Sequence, residues 1–379
     1  MIVAAVRVRN FRNHRASSLE FGEGINALLG DNGEGKTNIL EAISYLSLTK
    51  SFYASADATV LRIGEEGFEI EGSILSAGGV AHAVRVVYDG RTGTKDYEIN
   101  GARPERLSSV IGRFPIVILS PENGAITFGG PMERRRFMDL ILSQLSPAYL
   151  ETLFEYRRIV RQRNRVLLDA RMRGSQPERL LAPWNESLAL QGSILVHRRR
   201  SFVEEFAHYM VRAYGDLVEG GGETPGVRYE SSCRTGNESV LKEAIAEEIR
   251  GLLRQYQGEE LKRGTTLVGP HRDNLVFTLA GVPVQQYASQ GQHKSLLVAL
   301  KVAEFTYLRE RREERPIFLL DDVFSELDQR RSARILHLAG TLGQTIITTT
   351  DVGSFGNAVA WNEANRRFTV ERGTCRRET

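Results

Sequence analysis

Eight residues near the start of the 379-residue chain, Gly30, Asp31, Asn32, Gly33, Glu34, Gly35, Lys36 and Thr37, have the spacing G-x-x-x-x-G-K-[ST]. That spacing suits the phosphates of a nucleoside triphosphate. The glycines let backbone N–H groups curl around phosphate oxygens. Lys36 then sits against the β- and γ-phosphates, and the Thr37 hydroxyl can ligate Mg²⁺. The loop works only between a strand and a helix. "VRVRNFRNHRASSLEFGEGINALLG" alternates and then turns apolar from Ile25 to Leu29, which predicts two strands leading into the loop. "KTNILEAISYLSL" places Ile39, Leu40, Ile43 and Leu46 at helical spacing after it.

A phosphate grip needs a second metal ligand, and "PIFLLDDVFSELD" offers one. Ile317 to Leu320 predict a buried strand that ends in Asp321 and Asp322. Asp321 can hold Mg²⁺ through water, and Asp322 can orient the attacking water. Two acids at a strand end can also be a plain helix cap. The glycine loop upstream tips the reading toward metal. About one helix earlier come Ser289, Gln290, Gly291 and Gln292, at the start of a helix predicted over 292–312. A Ser and a Gly at a helix N-terminus form an anion site. Within one chain the glycine loop already occupies the phosphates. The second site therefore either faces a nucleotide held by another copy or is an ordinary capped surface helix.

The remaining elements frame these motifs. Residues 68–101 alternate between turns and predict a small antiparallel sheet, and "FPIVILS" reads as a buried parallel strand. From residue 130 to about 212 the chain is rich in Leu and Arg. It predicts several helices, broken near "RGSQP" and "LAPWN". "NESVLKEAIAEEIRGLLRQYQ" predicts a helix capped by Asn237 or Ser239, and "NLVFTLAGVPVQQYAS" a hairpin. "QTIITTTD" predicts another strand, and the polar tail "ERGTCRRET" a frayed end. The expected fold is α/β, with a mixed sheet built from both ends of the chain and a mostly helical second lobe between them. The expected lobes are 1–125 with 300–379, carrying glycine loop and acidic strand, and 126–299, carrying Ser289.

Composition narrows the class. Apolar residues at 41% allow a sizeable core, and a net charge of +3 permits nucleic acid without arguing for it. Cys233 and Cys375 are far apart and in no metal spacing, as in a reducing compartment. Arg7 and Arg9 interrupt the apolar N-terminus before a signal core could form. No run approaches the roughly 20 apolar residues of a spanning helix. The expectation is a cytoplasmic protein with no membrane partner.

The order of the motifs resembles the ATP-binding cassette superfamily, in which two heads sandwich two ATP molecules. In that resemblance Ser289-Gln290-Gly291-Gln292 is the signature, acting in trans. Ser325-Glu326-Leu327-Asp328 is the loop at the dimer interface, with Ser325 and Asp328 its polar members. "NFRNHR", "GDNGEGKTNILEAI", "SPENGAITFGGPMERRRFMD", "GPHRDN", "SQGQHKS" and "LLDDVFSELD" together resemble the RecF family of bacterial recombinational-repair ATPases. "GGPMERRRFMD" and "GPHRDN" have no general ATPase role and make the match specific. The resemblance implies a head related to Rad50 and SMC proteins without their long coiled coil. It further implies ATP-dependent dimerisation on DNA, slow hydrolysis, and cooperation with RecR and RecO in loading recombinase at gaps. It places Arg12 near nucleotide, with a solvated surface arginine as the equal alternative. The chain departs from the wider pattern at Asp322, where Glu is usual, and at Thr350, in the place of a switch His. It also lacks a Gln after "IVILS", where Glu122 or Asn123 can substitute in part, and has Tyr53 and Asn274 where relatives tend to carry Arg and Asp.

Three basic clusters could meet DNA phosphates: Arg157, Arg158, Arg161 and Arg165 on one helical face, Arg134 to Arg136, and His197 to Arg200. Each alone reads more simply as a solvated face, so the DNA expectation rests on the resemblance. A cassette subunit of a transporter, another head of the SMC or Rad50 type, and a scaffold stabilised by nucleotide are the competing readings.

Overall fold

The structure, a computed structural model, describes residues 1–378 apart from 219–222, 234–241, 325–328, 351 and 356–357. The chain divides into two compact units, residues 1–124, 212–220 and 294–379 forming one, and 125–211 with 221–293 the other.

The first unit opens with β1 (Ile2–Phe11) and β2 (His14–Glu20), joined by a tight turn in which Arg12 adopts φ 55°. Then β3 (Ile25–Leu29) runs into the glycine loop and α1 (Lys36–Leu48). Next come β4 (Gly67–Leu75), β5 (Ala81–Asp89), β6 (Thr94–Ile99) and β7 (Ile116–Leu119). The two strands expected to feed the loop are thus three, and only β3 does so. β1 and β2 belong to a separate antiparallel sheet, ordered β2-β1-β4-β5-β6. Their alternation is the reason: β1 and β2 set exposed residues between buried ones, whereas all five residues of β3 are buried.

The second unit contains α2 (Ala125–Phe128), α3 (Pro131–Leu145), α4 (Pro147–Arg173) and, as far as Val211, α5 (Glu178–Leu217). The helix expected to break at "LAPWN" continues through Pro183. Pro183 lies near its start, and buried Leu181, Leu188, Leu195, Phe202 and Phe206 give α5 a continuous packed stripe that offsets the lost hydrogen bond. Then follow β8 (Pro225–Glu230), α6 (Lys242–Arg263), β9 (Asn274–Leu279), β10 (Val282–Pro283) and α7 (Val284–Tyr287). The hairpin read from "NLVFTLAGVPVQQYAS" is present, but its return limb is two residues long before α7 begins. The caps proposed for α6, Asn237 and Ser239, lie outside the described residues.

The helix α8 (Gln290–Arg311) starts in the second unit and continues in the first. After it come β11 (Ile317–Asp321), α9 (Gln329–Leu342), β12 (Thr345–Thr349), β13 (Arg366–Glu371) and β14 (Thr374–Arg377). The tail expected to fray is this last hairpin. Phe368 and Val370 alternate inward, and β13 gains a parallel ladder with β3. The six-stranded sheet has the order β14-β13-β3-β12-β11-β7, parallel except for β14. It draws strands from both ends of the chain, as the sequence suggested.

Two features lock the first unit. α1 touches both sheets, and its Ile39, Leu40, Ile43, Tyr45 and Leu46 are all fully buried. Each such side chain contributes about 1.5–3 kcal/mol. Phe11, Tyr45, Phe68 and Tyr88 stack edge and face beneath it. Gln344, just before β12, bridges the two sheets: its amide donates to Val3 and Gly22 carbonyls and accepts from the Val3 N–H. Among the described residues no helix is long and apolar enough to cross a membrane.

The second unit is held by buried polar pairs that join the two motifs without an ATPase role. From "GGPMERRRFMD", Asp139 accepts from Arg199 at 2.8 Å and from Tyr149 at 2.6 Å. From "GPHRDN", the Pro270 carbonyl accepts from the same Arg199, and His271 Nδ1 lies 2.7 Å from the Tyr156 hydroxyl. Burial pushes His271 down to about 4, with neighbouring Arg272 and Arg135 also lowering it. Between pH 6.5 and 4 the unfolded chain binds a proton that folded His271 refuses, so stability falls as pH drops. From pH 7 to pH 5 the loss is about 2 kcal/mol. Urea midpoints at the two pH values should diverge in wild type, and His271→Asn should narrow that difference.

Candidate functional site

The site lies at the carboxyl ends of β3, β12 and β11, where parallel sheets expose loops and helix N-termini. Glycine is required at both ends of the loop. A Cβ on Gly30 would stand 2.3 Å from the Val370 carbonyl. One on Gly35, at φ 109°, would stand 2.5 Å from Asn13 Oδ1. Gly35 is also the N-cap of α1 and has no side chain to cap the helix, so the first N–H groups of α1 stay available to an anion.

Lys36 folds back over this loop. Its ammonium donates to the carbonyls of Gly30 at 2.6 Å and Asp31 at 2.8 Å. Burial lowers its pKa, and the charges of Asp322, Asp31, Asp321 and Glu34 oppose that. Next along α1, the Thr37 hydroxyl donates to Asp321 Oδ1 at 2.7 Å. The same carboxylate oxygen accepts from Thr348 Oγ1 at 2.7 Å, and Thr348 Oγ1 accepts in turn from the Asp322 N–H at 2.9 Å. Burial raises Asp321, and the nearby charges of Glu122 and Asp322 raise it too, while the two hydroxyls lower it. A buried carboxylate crowded by two acids is primed for a cation. Asp322 sits at φ 47°, half buried, at the turn out of β11.

The residues fit Mg²⁺. The donors are a hydroxyl and a carboxylate, hard oxygens next to a phosphate-shaped loop. Among the described residues no cluster of three His, Cys, Asp or Glu side chains could hold a metal. A cation here would take most of its ligands from phosphate and water, which is the habit of Mg²⁺.

The turn between β1 and β2 braces the loop. Asn13 Nδ2 donates to the Glu34 carbonyl at 2.9 Å, and Asn38 donates to Asn13 Oδ1 at 2.8 Å. Buried His14 places Nε2 3.0 Å from the Gly35 carbonyl and Nδ1 2.9 Å from Ser17 Oγ. Burial pushes His14 below its ordinary value, which keeps the ring neutral. From the other side the β13–β14 turn donates Gly373 N–H to the Glu34 carbonyl and Arg372 N–H to its carboxylate. None of Asn13, His14, Thr348 and Gly373 was singled out from sequence. The "NFRNHR" stretch was the one signal for the first two.

Arg12 has its own partner. Its guanidinium pairs in bidentate fashion with buried Glu41 of α1, both contacts 2.8 Å, and donates to the Thr59 carbonyl. It is therefore no free surface arginine. Tyr53 places its ring 6.0 Å from Arg12.

Ser289, Gln290, Gly291 and Gln292 lie in the second unit, at the start of α8. Ser289 Oγ accepts from the Gln292 N–H at 3.2 Å, and Gln292 Oε1 accepts from the Ser289 N–H at 2.6 Å. This is a reciprocal capping box. Gln292 Nε2 also donates to Glu223. Ser325 and Asp328 lie outside the described residues.

The basic clusters separate clearly. Arg134 and Arg199 are buried and bonded inside the unit, so their clusters spend central members on structure. The α4 set is exposed. Arg157 and Arg158 each have an acidic neighbour at 3.3–3.4 Å, and Arg161 and Arg165 have none among the described residues.

Comparison with known proteins gives the chain relatives over most of its length. The description "RecF/RecN/SMC N terminal domain" covers the family whose profile matches residues 2–375. The DNA replication and repair protein RecF of Salinibacter ruber is 43% identical over 97% of this chain and 89% of its own. That of Chloroherpeton thalassium is 41% identical over 92% and 94%. A solved recombination mediator protein RecF of the RecFOR pathway, with ATPrS, superposes with TM-score 0.90 at 31% identity over 100% and 98% of the chains. An Smc head bound to a ScpA domain superposes with TM-score 0.56 at 14% identity, a likeness of fold alone. The α/β class and mixed sheet expected from sequence are those of an ABC-type ATPase head.

Proposed function

The chain belongs to the RecF/RecN/SMC N-terminal domain family and within it to RecF, and from that membership we propose that it is an ATP-switched DNA clamp of recombinational repair. The observation that carries this reading is the 2.7 Å contact of Thr37 with Asp321 beneath a loop over which Lys36 is folded. The RecF relatives are named for DNA replication and repair, and solved RecF structures name ATP and ATPrS.

In this reading Lys36 leaves the Gly30 and Asp31 carbonyls for the β- and γ-phosphates. Gly30, Asp31, Asn32, Gly33, Glu34 and Gly35 wrap the phosphates with backbone N–H groups. Thr37 and Asp321 hold Mg²⁺, which when bound polarises the phosphates. Asp322 orients the attacking water, and its short arm places that water less well than a Glu would, giving slow, weak ATPase activity. The 1–125 and 300–379 lobe supplies this half of the site. The 126–299 lobe supplies Ser289 to a second copy: its Oγ caps α8 as an acceptor, and its O–H remains to donate to a γ-phosphate. Ser325 and Asp328 complete the dimer contact. The dimer holds DNA without base readout, through α4 arginines, and works with RecR and RecO at single-strand gaps in the cytoplasm.

Sedimentation with and without ATP and gapped duplex DNA tests the reading: ATP should shift monomer to dimer, and DNA should stay with the dimer. Ser289→Arg should retain ATP affinity within about twofold yet lose at least tenfold in ATP-induced dimer, since roughly 1.4 kcal/mol is a decade. Normal dimers from that variant would sink the two-copy arrangement.

A further inference from the structure

A pocket of about 210 Å³ opens in the second unit beside the β8–β9–β10 sheet. Arg134, Asn274, Arg228, Glu230, Val276 and Pro283 are among the side chains lining it. Arg134 is its unusual member. Only 4% exposed, its guanidinium bonds three times, always to neutral oxygens: Gly129 O at 2.6 Å and Asn274 Oδ1 at 3.1 and 3.0 Å. Among the described residues no carboxylate lies within ion-pair distance of it. Glu230 raises its pKa through its field, accepts from Asn274 Nδ2 at 3.5 Å, and pairs with exposed Arg228. A guanidinium has five N–H groups, so one remains on each Nη nitrogen. A buried cation without a counter-ion is costly, and a carboxylate reaching both nitrogens would offset that cost by a bidentate, charge-assisted contact.

We propose that this pocket docks a single carboxylate side chain, presented beside an apolar residue by a segment of a partner protein. Three observations choose that occupant. The unbalanced charge in the pocket is one cation, which one carboxylate neutralises. Val276 and Pro283 add apolar lining, and Val282 and Tyr287, next along the chain from lining residues, are 44% and 71% exposed. Glu230, half exposed, would repel the run of charges on a nucleic-acid backbone, which needs an array of cations rather than one.

The test is a displayed random heptapeptide library selected on the full chain, followed by fluorescence anisotropy of the enriched peptides. Asn274→Asp supplies Arg134 with an internal carboxylate while leaving the arginine and its cavity in place. Glu230→Gln removes the competing acid. Enriched peptides should carry Asp or Glu beside an apolar residue. Asn274→Asp should weaken them by roughly tenfold, and Glu230→Gln should tighten them by about threefold. Thermal melts of both variants establish that they are folded. No enrichment, enrichment without acids, or binding untouched by Asn274→Asp would each overturn the proposal. So would a labelled thymidine oligonucleotide, rather than the peptides, proving sensitive to Asn274→Asp.

Discussion

Lys36→Ala is expected to lower affinity for MgATP by about 100-fold and to abolish ATP-induced dimers. The ammonium now bonds two loop carbonyls and faces four acidic side chains. On nucleotide it would exchange those carbonyls for charged oxygens. Each charge-assisted bond is worth about 1.5–3 kcal/mol, and two such bonds at the low end amount to about two decades. Little stability should go with it, because Nζ bonds only loop backbone and the α1 core is untouched. Titration calorimetry with MgATP and a thermal melt separate the two effects. Unchanged affinity would mean that the loop is not the phosphate grip.

Arg163→Ala should cost about 3–5 kcal/mol of stability in the second unit. Arg163 is 1% exposed at its side chain and donates to Glu260, Thr266 and Asn185. Glu260 is equally buried, and its other oxygen accepts from the Leu267 N–H. Removing the arginine leaves that carboxylate charged in the interior, whereas replacing both partners by apolar groups would cost far less. Urea unfolding of Arg163→Ala and of Arg163→Met with Glu260→Met checks the contrast. A double variant as unstable as the single one would show that shape, and not stranded charge, carries the loss.

Arg163 also shows why part of this chain resists reading. In the sequence it is one arginine among many on α4, next to residues proposed for DNA. Its helical register with Ile159 and Leu167 puts it on the buried face, away from Arg161 and Arg165, but nothing local names its partner, because Glu260 lies 97 residues away on another helix. Arg134 and Arg199 follow the same pattern. The C-terminal hairpin was illegible for a related reason. Residues 371–377 are mostly polar, and their order comes from pairing with β13, which itself pairs with β3 more than 300 residues earlier. Pro183 misled because a local rule for helix ends was outweighed by packing along forty residues of α5.

What the sequence alone determined is what contiguous residues can encode. The glycine loop is legible because its chemistry resides in consecutive backbone N–H groups. The strand before Asp321 is legible because four apolar residues must be buried. Only the tertiary structure decided that Thr37 meets Asp321, 284 positions on, with Thr348 on the same carboxylate oxygen. That contact follows from the strand order β3-β12-β11, which sets the three carboxyl ends side by side. Strand order depends on which buried faces and ladders match across the whole chain. No spacing within a motif records it.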